Sequence, residues 1–103
     1  DTNDMRFQPG GGFVQADDFA RYCIGAFDRL LAEGGSEPRM LSIGLHLRII
    51  GRPARIGGLE RLLDHMAATP GVWFARRDAI AHHWRAGLGL SPWQARPALS
   101  AFE

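Results

Sequence analysis

Lysine is missing from this chain of 103 residues: all 12 basic side chains are arginine, set against 11 carboxylates for a net charge of +1. Guanidinium forks grip phosphate well, so an all-arginine set invites a nucleic-acid reading. The acids are interleaved with the arginines, however, and no block of five like charges occurs. The basic stripe that a nucleic-acid surface needs is therefore lacking, and no nucleic-acid partner is expected. Cysteine is scarce as well. Cys23 has no second cysteine for an internal disulfide, and its apolar neighbours suit a buried thiol in a reducing compartment, so a cytoplasmic location is expected. No local base accompanies it that would make it a nucleophile. No run approaches the roughly 18 apolar residues of a membrane span, and no basic-then-apolar signal opens the chain, so no membrane partner is expected. An initiator methionine is absent too: the chain opens on Asp1, which leads us to expect further sequence before it.

What is present is the composition of an ordinary soluble domain, 46 % hydrophobic and 22 % charged, in a length that allows one small domain. Residues 1–15 have no helical period and contain Pro9-Gly10-Gly11-Gly12, which reads as a strand end running into a loop. Asp17 or Asp18 is placed to cap a helix, and Phe19, Tyr22, Cys23, Ala26, Phe27, Leu30 and Leu31 then recur at three- and four-residue steps. Gly34-Gly35 stops that helix. The apolar run 40–45 predicts a buried strand ending at His46, followed by an irregular loop through Gly51-Arg52-Pro53. Leu59, Leu62, Leu63 and Met66 give a second helix, ended at Thr69-Pro70-Gly71. Residues 72–75 read as another strand. Asp78 is placed to cap a third helix carrying Ile80, Ala81 and Trp84, with a partly helical tail at about 93–99. Strands alternating with helices predict an α/β fold with a parallel sheet, divided into a main segment 1–87 and a tail 88–103. Two or three strands can neither close a barrel nor bury both faces, so the chain reads as the closing segment of a larger α/β barrel or doubly wound sheet.

Parallel α/β folds gather chemistry at the C-terminal ends of their strands, and His46 stands there. A histidine leaving a strand into an arginine-rich loop suits a general acid, because its proton titrates near neutral pH; the plain alternative is a ring that only hydrogen-bonds the loop. Asp1-Thr2-Asn3-Asp4, at another apparent strand end, offers two carboxylates that can orient a histidine or bind a cation, or can simply form an Asx turn. His65, His82 and His83 read as structural, since the adjacent pair cannot chelate from one helix face. No Cys/His spacing suggests zinc, and no metal ligand is assigned. Gly10-Gly11-Gly12 lacks the lysine of a phosphate loop.

Four ordered stretches, Asp1-Thr2-Asn3-Asp4-Met5-Arg6-Phe7, Gly44-Leu45-His46-Leu47-Arg48, Gly51-Arg52-Pro53-Ala54-Arg55 and Val72-Trp73-Phe74-Ala75-Arg76-Arg77-Asp78-Ala79-Ile80-Ala81, together resemble the polysaccharide deacetylase superfamily. The nearest branch is that of the cofactor-independent allantoinases and related ureide or imide hydrolases. The resemblance implies the C-terminal part of a distorted (β/α) barrel and the hydrolysis of amide C–N bonds. It implies that Asp4, in an Asp-x-x-Asp spacing, orients His46, the general acid that protonates the leaving nitrogen. Met5 stands where the deacetylases carry tryptophan. In their Leu-x-His-Asp motif Gly44 replaces the leucine and Leu47 the aspartate, a departure toward the allantoinase-like branch. Asn3, Arg48 and Arg52 are then expected at the substrate, a small ureide or amide. The family's base, Asp pair and His-x-x-x-His ligands lie upstream, so no cofactor is expected within these residues and a divalent metal such as zinc only in a longer chain. Alone, the 103 residues are expected to be inactive. Homo-oligomerisation is expected, with Trp93, Leu99 and Phe102 offering a surface for it. Two alternatives accompany this reading: a non-catalytic barrel fragment or oligomerisation module, and a metal-dependent N-deacetylase of an acetylated sugar.

Overall fold

The computed structural model describes residues 2–8 and 11–91. In chain order it runs β1 (Thr2–Asn3), a 3-10 turn (Asp4–Arg6), α1 (Ala16–Glu33), β2 (Ile43–Gly44), α2 (Leu47–Ile50), α3 (Ile56–Ala67) and α4 (Arg77–Gly87). Packing divides it into two units, Asp1–Val72 and Trp73–Glu103.

In the first unit, the stripe on α1 buries Phe19, Ala20, Cys23 and Phe27. The helix begins earlier than its acids suggest. Gln15 occupies the cap, and Asp18 lies three residues inside, its Oδ2 accepting the amides of Gln15 at 2.8 Å and Val14 at 3.0 Å. A carboxylate at that third position reaches back to the orphan amides of the first turn, so neither Asp17 nor Asp18 is the cap itself. The amide of Gly34 closes the other end on Leu30 and Leu31.

Helix α3 packs on α1 through Leu62, which is 1 % exposed, and through Gly58. A Cβ at Gly58 would collide with the Ala16 carbonyl, so only glycine lets the two backbones approach here. Arg61 pairs with Asp17, and His65 Nε2 lies 2.7 Å from Asp28 Oδ1. The core closes with Phe7, Phe19, Cys23, Ile49, Ile50 and Leu62.

Strands β1 and β2 pair in parallel, Thr2 opposite Ile43 and Asn3 opposite Gly44, with α1 in the crossover. The expected strand 40–45 shrinks to these two residues. Its partner bends into the 3-10 turn after Asn3, which ends the ladder, and Met40 and Leu45 stand 65 % and 45 % exposed. The expected loop after His46 contains α2, a single turn: the His46 carbonyl accepts the amides of Ile49 and Ile50, and both isoleucines enter the core.

The second unit holds α4, whose first turn is capped at Arg76 rather than Asp78; Asp78 lies inside that turn and accepts the Ala79 amide at 2.9 Å. Residues 72–75 form no strand, and Trp73 and Phe74 are more than half exposed. A short apolar run becomes a strand only where another strand hydrogen-bonds to it, and none among the described residues does. The stripe of Ile80, Ala81 and Trp84 contains no buried residue. The expected helix at 93–99 and the surface of Trp93, Leu99 and Phe102 lie outside the described residues.

Candidate functional site

The 3-10 turn swings Asp4 off the end of β1 and into the interior, where its side chain is fully buried. Asn3 holds the turn by accepting the Met5 amide on Oδ1 at 2.7 Å, and the Phe7 amide donates to the Asp4 carbonyl at 3.0 Å. His46 leaves the end of β2 in extended conformation, its side chain 39 % exposed. Forty-two residues apart in sequence, the two meet: His46 Nδ1 lies 2.7 Å from Asp4 Oδ1, and the His46 backbone amide donates to Asp4 Oδ2.

A carboxylate oxygen accepts, so the ring donates from Nδ1 and Nε2 is left as its open nitrogen. One carboxylate thus fixes both the ring and the backbone of the same residue. A ring with one nitrogen held and its body half open to solvent can exchange a proton at the other nitrogen with a bound molecule.

Of the remaining expected site residues, Asn3 serves the turn, and its amide nitrogen lies across Gly44, where an added Cβ would sit 2.8 Å away. Arg48 is exposed on α2 and makes no ion pair among the described residues; Arg52, also exposed, donates from Nε to the Arg48 carbonyl at 3.0 Å. His65 joins α1 and α3 through Asp28, and His82 and His83 lie exposed on α4. Burial pushes the Cys23 thiol up to about 11, the opposite of an activated nucleophile. Among the described residues no group of three His, Cys, Asp or Glu side chains could hold a metal ion, and no helix is long and apolar enough to cross a membrane. A shallow concavity lined by Gly12, Phe13, Asp18, Arg21 and Tyr22 includes neither Asp4 nor His46.

Two features of the site carry no sequence signal. One is the bond from Asp4 to the His46 backbone, since a carboxylate does not announce a main-chain partner. The other is the pair of contacts made by Arg55, the last residue of one of the four resembling stretches: its guanidinium stacks over the Phe7 ring at 4.7 Å and donates to the Ile49 carbonyl at 3.2 Å.

No family model matches the chain. A curated Schizosaccharomyces pombe protein named as a polysaccharide deacetylase is 45 % identical over 87 residues, covering 84 % of this chain and 27 % of that protein. The crystal structure of PuuE allantoinase superposes with a TM-score of 0.81 at 51 % identity, over 91 % of this chain and 30 % of that one. A crystal structure from Pseudomonas aeruginosa PAO1, named as a polysaccharide deacetylase, gives 0.80 at 50 % identity with the same coverage. The chain spans between a quarter and a third of the length of these relatives.

Proposed function

We propose that this chain, which belongs to the polysaccharide deacetylase family, supplies the general-acid portion of a hydrolase of non-peptide amide C–N bonds. The observation that carries this reading is the 2.7 Å contact between a buried Asp4 and a half-exposed His46 at the ends of two parallel strands. In the reaction, a water activated by groups elsewhere in a family-length protein adds to the amide carbonyl. The C–N bond then breaks as the His46 imidazolium gives its Nε2 proton to the departing nitrogen, which would otherwise leave as a highly basic anion. Asp4 keeps the ring aimed throughout and takes no part in bond making. Positioned proton transfer of this kind is worth roughly 10² to 10⁴ in rate.

Arg48 and Arg52, two and six residues beyond His46, offer planar forks for a substrate carboxylate or ureide oxygen. Asn3 acts one step back, by holding the turn that carries Asp4. The chain takes the place of the C-terminal part of a distorted (β/α) barrel. Gly44 and Leu47 in place of the deacetylase leucine and aspartate favour a cyclic ureide or imide over an acetylated sugar. A divalent metal, where one is used, belongs to residues beyond those described.

The test grafts this chain into PuuE allantoinase in place of the matching 30 % and follows allantoin hydrolysis. The graft is expected to turn over, and His46→Ala within it to lose at least about 100-fold in kcat. Equal rates for the two grafts would remove His46 from the chemistry.

A further inference from the structure

Asp4 and His46 are each followed by one tight turn, and the same arginine grips both turns. Three residues past Asp4, Phe7 closes the first turn on the Asp4 carbonyl; three residues past His46, Ile49 closes the second on the His46 carbonyl. Arg55 stacks its guanidinium on the Phe7 ring at 4.7 Å and donates Nη1 to the Ile49 carbonyl at 3.2 Å. It is partly buried and forms no ion pair among the described residues. A ring face and a carbonyl oxygen both attract a planar cation, and here each belongs to a different arm of the pair.

We propose that Arg55 is a positioning residue: its guanidinium fastens the turn after Asp4 to the turn after His46 and so keeps carboxylate and imidazole in register. The functional weight of this rests on the general-acid reading above, but the geometry stands by itself. Strands β1 and β2 share only two residue pairs, too short a ladder to fix the turns beyond it. Arg55, at the start of α3, ties those turns to the helix that packs on α1.

The test follows the His46 Nδ1–H proton of the 103-residue chain by NMR, through its low-field resonance and its exchange with solvent. In Arg55→Met, which keeps the apolar stem, exchange at that proton is expected to rise about tenfold while the core amides of Phe19 and Cys23 keep their protection. Arg55→Lys keeps the charge without the fork and is expected to fall between, about threefold faster than the parent; it serves if the methionine variant fails to fold. No change at His46 in either variant, or an equal rise at the core amides, would overturn the positioning role. A parent chain with a hydrogen-bonded His46 proton whose graft fails to hydrolyse amides would defeat the general-acid reading and leave this one standing.

Discussion

Two fully buried side chains of the first unit, Asp4 and Cys23, have opposite surroundings. Asp4 goes in with both oxygens occupied by His46, so a carboxylate is kept in the interior by the donors it orients. Cys23, equally inaccessible, sits among apolar groups that disfavour its anion and push its thiol from 9.0 to about 11. At a given pH that leaves about 100-fold less thiolate than in an unfolded chain, so native Cys23 is expected to react with iodoacetamide at pH 8 at least about 100-fold more slowly than in urea. The sign for stability follows: a pKa raised by folding favours the fold below pH 9, and the benefit fades as pH climbs toward 11. A native rate close to the unfolded one would show that the core opens readily at α1. The burial of Cys23 was legible in advance from its apolar neighbours, and the position of His46 past a strand end from the apolar run before it. The contacts of Arg55 were not legible, because stacking on Phe7 is a contact across 48 positions of sequence and leaves no local pattern.

Among the elements, those with a full helical period were readable and the short ones were not. Helix α1 repeats its apolar step five or more times, whereas α2 has four residues and no period to detect; only the burial of Ile49 and Ile50 explains it. The runs 40–45 and 72–75 have strand composition, yet pairing depends on a neighbour that composition does not reveal. The α1–α3 seam gives a sharper prediction, because two adjacent glycines of α3 should respond with opposite sign. Gly57 faces open space, so Gly57→Ala is expected to stabilise by about 0.5 kcal/mol through helix propensity. Gly58→Ala would drive a methyl into the Ala16 carbonyl, part the helices and cost about 1–3 kcal/mol. Urea unfolding of both variants measures the difference; equal effects would mean that α3 does not pack on α1 at this close distance.

For the whole molecule, the resemblance in four stretches located the family before any coordinates. The proposed acid has no partner for activating water among the residues assigned here, so the 103-residue chain alone is expected to release no measurable product from allantoin or N-acetylglucosamine, assayed at millimolar substrate. Turnover by the isolated chain would overturn the division of labour proposed above. The two-residue ladder between β1 and β2 carries one more consequence. A slip of a single position would carry Asp4 away from His46 and present Asn3 or Met5 to the imidazole instead. Met5 has no strong acceptor, and Asn3 lacks the second oxygen by which Asp4 meets the ring and the backbone amide separately. The Asp4–His46 pair therefore assembles in only one alignment of the chain, and a shifted register loses the ring contact and the backbone contact together.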